Sequence, residues 1–357
     1  DIVPSRRTRS SKEVSTAWQL DAYRFDIPIL AHPTDALVSP EFAIELGKRG
    51  GLGVINGEGL WGRHADVAAK LAQVAELADS DVDADAPIRL LQELHAAPLQ
   101  PNLLAAAVAQ VRDAGVTTAV RVSPQNARTL TPLLLEAGID LLVVHGTIIS
   151  AEHVAHGDGE PLNLKTFISE LDVPVVAGGV IDHRTALHLM RTGAAGVIVG
   201  YGSTQGATTT SDVLGIGVPM ATAIADAAAA RRDYLDETGG RYVHVIADGD
   251  IDSSGDLAKA IACGADAAML GAPLAVAEEA PGGGWYWPSA AAHPSLPRGA
   301  LLPVSFGERP SLDEVLTGPS TDPFGALNLV GGLRRSMAKS GYSDLKEFQK
   351  VGLNVRG

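Results

Sequence analysis

Residues 245–275 read VIADGDIDSSGDLAKAIACGADAAMLGAPLA. An apolar run ends in Asp248-Gly249, a helical pattern spans 255–263, and a second apolar run, 267–270, stops at Gly271. Runs that are apolar throughout, rather than alternating, belong to strands buried on both faces. Such sheets are parallel and need a crossover helix between strands. The stretch therefore reads as one strand–helix–strand repeat. Upstream of it lies a loop rich in glycine and threonine, 200–210, that contains no cysteine.

The same unit recurs along the chain. Apolar runs at 27–31, 53–56, 118–122, 141–145, 173–177, 196–200, 243–247 and 267–270 alternate with helical patterns. Those patterns fall at 40–49, 62–78, 102–114, 125–137, 162–171, 183–192, 220–234 and 255–263. Gly115, Gly138, Gly193 and Gly264 follow helical stretches, where glycine is the usual C-terminal stop. Eight such units in 357 residues predict an α/β fold, a TIM (β/α)8 barrel. A doubly wound sheet is the alternative, because strand number alone does not force closure. One domain, 1–357, is expected, with an N-terminal arm over 1–25 that straps the barrel bottom or a neighbour. The Pro-, Gly- and Ser-rich stretch 280–320, which carries Trp285-Tyr286-Trp287, reads as a flap-like loop. A C-terminal helix is expected over 323–340, followed by a shorter segment over 342–351.

Hydrophobic residues make up 46% of the chain, enough for a large core. The net charge of −14 argues against nucleic acid or an anionic membrane as partner. The one cysteine rules out an internal disulfide and a cysteine-based metal cluster. The chain has no apolar run of about 18 residues, and 1–12 lack the apolar core of a secretory signal, so a cytoplasmic protein is expected.

Active groups of a TIM barrel sit at the C-terminal ends of its strands. Gly178, Gly179, Gly200, Gly202, Gly249 and Gly271 fall at those ends, where glycine lets backbone N–H groups approach a phosphate. Asp248 is placed either to accept hydrogen bonds from ribose hydroxyls or to cap the segment after it. His145, His153 and His156 lie within twelve residues. With no cysteine nearby and no His-x3-His pair, no metal is expected there.

Further runs extend the pattern: Ser254-Gly255-Asp256, Lys259-Ala260, Met269-Leu270-Gly271 and Glu278-Glu279-Ala280-Pro281-Gly282. To these are added Asp35, Gly50-Gly51-Leu52-Gly53, Gly217-Val218-Pro219 and Val330-Gly331-Gly332-Leu333-Arg334. In order and spacing they resemble the IMP dehydrogenase / GMP reductase family, and within it the actinobacterial IMP dehydrogenase-related subgroup. The resemblance covers nearly the whole chain. It implies a purine nucleotide as ligand, NAD(P)-linked oxidoreduction at purine C2, a role in GMP biosynthesis and a homotetramer. It places Asp248 on the ribose, Gly249 and Gly271 near the 5′-phosphate, and Gly202 and Gly206 in the nucleotide loop. It puts His145, Gly178 and Gly179 on the side of the NAD or NADP cofactor. The regulatory domains that many members insert are not expected, because 56–117 leave room only for helices.

The departures from the family are as informative. The family's nucleophile is a loop cysteine. Counted forward from Gly200 and Gly202, its position here is Ala207; counted back from Gly217-Val218-Pro219, it is Thr208. A threonine hydroxyl lacks the acidity that makes a thiolate nucleophilic near neutral pH. Cys263, at the end of a helical stretch, reads as a small buried hydrophobe. His145 stands where the family has an aspartate, Gly179 where it often has asparagine, and Asp250 where it has a second glycine. Glu279, with Thr209 or Thr210, matches the pair that assists ammonia chemistry in GMP reductases; Thr208, Thr209 and Glu279 are thus the candidate catalytic residues. An oxidoreductase with altered or lost chemistry and a non-catalytic nucleotide sensor or regulatory partner both follow from this pattern.

Overall fold

The computed structural model describes residues 1–80, 83–146, 162–202, 211–288, 300–304 and 307–355. A short hairpin comes first, β1 (Trp18–Leu20) and β2 (Tyr23–Phe25), followed by β3 (Ile29–Ala31), α1 (Pro40–Lys48) and β4 (Leu52–Asn56). Three helices, α2 (Val67–Ala78), α3 (Ala86–Ala96) and α4 (Pro101–Asp113), lead to β5 (Ala119–Val122). Then come α5 (Ala127–Ala137), β6 (Leu141–His145), α6 (Leu164–Ser169), β7 (Val175–Val180), α7 (His183–Arg191) and β8 (Gly196–Gly200). The repeat finishes with α8 (Ser211–Leu214), α9 (Met220–Thr238), β9 (His244–Asp248), α10 (Ser254–Ala262), β10 (Ala267–Leu270) and α11 (Ala272–Ala275). A second hairpin, β11 (Trp285–Tyr286) and β12 (Leu302–Pro303), precedes α12 (Leu312–Leu316), α13 (Leu329–Lys339) and α14 (Leu345–Phe348).

Strands β3 to β10 close into a barrel in sequence order, with β10 pairing back onto β3. Every pair in it is parallel. This settles the choice between barrel and doubly wound sheet: a closed TIM barrel with its helices outside. The reason lies in the burial pattern. β3, β4, β6, β7, β8 and β10 are buried at every residue, one face in the barrel interior and the other under helices. The helices start where the sequence supplies an oxygen to the first turn. Ser39, Asp182 and Ser253 accept the N–H three residues on, from Phe42, Thr185 and Asp256.

Several bounds differ from the sequence reading. The helix expected over 62–78 begins only at Val67, and α3 was not anticipated. Its core-facing residues, Pro87, Leu91 and Leu94, follow an acidic stretch that reads as a loop. α9 runs on to Thr238, until Gly239 in the left-handed conformation ends it. The C-terminal helix is shorter than expected and begins at Leu329. Two of the three aromatics in the expected flap belong to the core: Tyr286 and Trp287 are fully buried, and Trp285 is half-buried. The Thr34 hydroxyl donates to the Trp287 carbonyl at 2.6 Å, and the Gly282 N–H to the Ala36 carbonyl at 2.9 Å. Polar composition signalled a loop, but two large rings buried against β3's loop outweigh it.

The β1–β2 hairpin lies across the N-terminal end of the barrel. Leu20 reaches Gly196 at the start of β8, and Trp18 stacks edge-on to His244 at the start of β9. Beneath it, buried Asp266 takes Arg231 at 2.7 Å, the Tyr242 hydroxyl at 2.8 Å and the Val245 N–H at 2.9 Å. The His244 Nδ1 is buried without a hydrogen bond, and burial lowers its pKa from 6.5 to about 4. The unfolded chain therefore takes up a proton that the folded one refuses. Stability from this group is complete above pH 6.5 and is lost as pH falls toward 4. Denaturant unfolding of the protein and of His244→Gln should show the wild type losing about 2 kcal/mol more than the variant between pH 8 and pH 5. Parallel pH curves would show that His244 titrates as freely folded as unfolded.

Candidate functional site

Strand ends at the C-terminal mouth carry the polar side chains. Asp248, the last residue of β9, is buried, and so are His32, just past β3, and His145, at the end of β6. Asp248 Oδ1 lies 3.3 Å from His32 Nδ1, and its Oδ2 lies 3.3 Å from His145 Nε2. The two imidazoles meet edge-on with centroids 5.6 Å apart. Three strands that are not neighbours in the barrel thus meet at one carboxylate. The backbone fixes each partner: the His32 N–H donates to the Leu270 carbonyl at 2.8 Å, and the Gly202 N–H to the Asp248 carbonyl at 3.0 Å. Arg121 of β5 donates to the His145 carbonyl at 2.9 Å and pairs with Glu58 at 3.1 Å.

Burial alone pushes the Asp248 carboxyl up. His32 and His145 outweigh it and hold the group well below the usual carboxylate range. Burial lowers the His145 pKa, and Asp248 opposes it. At neutral pH the site is an ionised carboxylate beside a neutral His145. An imidazole of this kind can take a proton from a group in the mouth, with Asp248 stabilising the imidazolium that results.

Next to this cluster is a hollow of about 20 Å³ lined by His32, Asp248, Asp250, Asp252, Gly271 and Tyr286, among others. That is space for about one water. A larger hollow of about 290 Å³, bounded by Ile181, Tyr201, Val218, Met220 and Asp250, adjoins it, and Gly202 and Asp250 line both. Gly271 is glycine for a steric reason: a Cβ there would lie 2.3 Å from the Tyr286 hydroxyl oxygen. Burial foremost, and then the Asp248 charge, push the Tyr286 phenol well up, so it stays a protonated donor.

The sequence-predicted residues are distributed unevenly. Asp248, Gly249, Gly271 and Gly202 come together at this mouth, with His145 beside them. Gly206, Thr208 and Thr209 lie outside the described residues, as do His153 and His156. Glu279 accepts the Leu312 N–H at 2.8 Å, at the start of α12. Gly178 and Gly179 are tight against β8: a Cβ on Gly178 would meet Ile198, and one on Gly179 the Gly200 carbonyl. His145 lies against Asp248, and the two glycines form part of the barrel wall. No hydride step is assigned to them. Among the described residues no group of His, Cys, Asp and Glu side chains is arranged to hold a metal ion. Cys263 follows α10, before β10 begins, at the end of the barrel away from Asp248. Burial pushes its thiol up, away from the thiolate form. Sequence reasoning missed His32 and Tyr286. His32 had a signal, a polar residue directly after an apolar strand run; Tyr286 had none.

A closed parallel barrel with a buried acid–histidine cluster at its C-terminal mouth defines a TIM-barrel protein. Residues 1–291 match the IMP dehydrogenase / GMP reductase domain. A protein of Mycolicibacterium smegmatis described as an uncharacterized oxidoreductase is 80% identical over 354 residues, 99% of this chain and 94% of its own. An inosine-5′-monophosphate dehydrogenase of Pasteurella multocida is 41% identical over 168 residues, 47% of this chain and 31% of its own. The crystal structure of an IMP dehydrogenase/GMP reductase-like protein from Corynebacterium glutamicum superposes with a TM-score of 0.93 at 60% identity, covering 100% of this chain and 92% of that one. The chain belongs to the IMP dehydrogenase / GMP reductase family. No helix among the described residues is long and apolar enough to cross a membrane.

Because Asp248 supports the protonated form of His145, neutralising it should lower the imidazole pKa further. Asp248→Asn is expected to move the His145 titration, followed by NMR of the ring nitrogens, to lower pH. An unmoved or raised value would mean that the carboxylate does not act on His145.

Proposed function

We propose that the C-terminal mouth binds a purine ribosyl ligand, the family's nucleotide or the nucleoside within it, and that the protein does not use the family's covalent thiol chemistry. The observation that carries this reading is the buried Asp248 between His32 and His145. A carboxylate taken out of water is costly unless it is paired, and the barrel places this one at the position where TIM-barrel chemistry occurs. Family membership supports NAD(P)-linked oxidoreduction at purine C2 as the inherited reaction class. The sole cysteine, Cys263, is at the wrong end of the barrel. In its place the mouth offers His145 as proton acceptor, held by Asp248, which suits activation of a water rather than formation of a thioether. Family membership also supports a cytoplasmic homotetramer acting in GMP biosynthesis, with NAD or NADP as cofactor.

A second reading, a non-catalytic purine sensor or regulatory partner of an active enzyme, is favoured by one feature. The space beside Asp248 is about 20 Å³, because Tyr286 fills the face of Gly271. Calorimetry with IMP, XMP, GMP, inosine and guanosine, paired with NADH formation from IMP, separates the two readings. NADH formation above background is not expected. Thr208→Cys and Ala207→Cys should each leave activity at least about 100-fold below a thiol-bearing relative, since His145 and Gly179 differ as well. Robust NADH formation by the unaltered protein would overturn the reading that thiol loss removed the family reaction.

A further inference from the structure

The end of the barrel away from Asp248 has a hollow of its own, about 370 Å³ in volume. The β1–β2 hairpin forms one side of it, the entry to β9 its floor, and α14 the other side. That volume is within the range of small-molecule sites. The N-terminal end of a TIM barrel serves stability rather than the barrel's chemistry, so a ligand here is distinct from one at the mouth.

Three rings line the hollow in succession. Trp18 meets His244 edge-on with centroids 6.0 Å apart, and His244 meets Tyr242 edge-on at 5.0 Å. Trp18 is stacked on Phe25, and its indole N–H donates to the Ile27 carbonyl at 3.0 Å, so its orientation is set by the fold. His244 and Tyr242 are half-buried. His244, its pKa lowered to about 4 by burial foremost, is neutral at pH 7. Aromatic surface held in place before a ligand arrives favours a flat ring, which gains ring–ring contact at little ordering cost.

The charged groups supply the other half of the recognition. Lys346 is committed: its Nζ lies 2.5 Å from Asp266 Oδ1 and 3.8 Å from the centre of the Tyr242 ring. Asp266 also holds Arg231 at 2.7 Å. Asp344 accepts the Glu347 N–H at 2.9 Å and so caps α14. Arg24 differs from these. It is exposed on β2, opposite Gln19 of β1, and its guanidinium has no hydrogen bond or ion pair among the described residues. A guanidinium presents a planar fork of N–H groups that matches a carboxylate. Asp266 and Asp344 also line the hollow and repel a second negative charge, so a monoanion suits it better than a phosphate dianion.

We propose that the hollow between the β1–β2 hairpin and α14 is a second binding site, which takes a small aromatic monocarboxylate. The ring of the ligand lies against Trp18, His244 and Tyr242, and its carboxylate pairs with Arg24. Such a ligand joins the N-terminal hairpin to the C-terminal helix. Arg24 and Asp248 are at opposite ends of the barrel, so the site stands whether or not a purine enters the mouth.

The test is isothermal calorimetry of the full chain at pH 7.5 or thereabouts with three probes: benzoate, benzamide, which keeps the ring without the charge, and cyclohexanecarboxylate, which keeps the charge without the ring. Benzoate is expected to bind at one site, at least about ten-fold more tightly than either of the others. Arg24→Gln, an exposed change that leaves the fold intact, should weaken benzoate about ten-fold or more and leave benzamide nearly unchanged. In NMR, benzoate should move the ring signals of His244 and not those of His145. No benzoate binding up to about 10 mM would overturn the proposal. So would benzamide or cyclohexanecarboxylate binding as well as benzoate, affinity unaltered in Arg24→Gln, or shifts at His145 in place of His244.

Discussion

The carboxylate of Asp248 is the point on which the mouth of the barrel depends. It joins β9 to the ends of β3 and β6, strands that never pair, through His32 and His145. Removing one partner from such a buried cluster leaves the others without compensation, which is why buried ion pairs are costly to break even where they add little to net stability. The contacts around it follow from this: Gly202 bound to the Asp248 carbonyl, Arg121 bound to the His145 carbonyl, and Tyr286 over Gly271. The position that the resemblance assigns to ribose recognition is here an internal tie between strands.

The fold was legible because parallel strands buried on both faces leave a sequence signature that few other arrangements share. The runs at 141–145, 196–200 and 267–270 coincide with β6, β8 and β10. Errors arose where local composition and long-range packing disagree. β7 continues through Gly178 and Gly179 to Val180, because those glycines let β8 approach closely rather than ending the strand. α3 was hidden by an acidic lead-in, and Trp285-Tyr286-Trp287 by the Pro- and Gly-rich residues around it.

The site was legible only in part, for a different reason. Asp248, Gly249, Gly271 and His145 are visible because they fall at strand ends, a position that sequence periodicity locates. What the periodicity does not show is which strand ends face one another. His32 and Asp248 are 216 residues apart in the chain and in contact across the mouth. Tyr286 arrives from outside the repeat altogether, on a hairpin whose place depends on Thr34 and Ala36. Glu279 illustrates the reverse case: a carboxylate that family resemblance marks for chemistry is found holding the first turn of α12.

The anchoring of Tyr286 has a thermodynamic corollary. A binding wall built from a mobile loop must be ordered anew each time a ligand arrives, and that loss of freedom is subtracted from affinity. Here the wall residue is buried with the core, and its neighbour is held by Thr34, so the ordering is completed when the chain folds. The Tyr286 side of the cleft is then inherited from the fold. A ligand entering there would meet that side already formed, and a change at Thr34 or Trp287 would alter it from a distance.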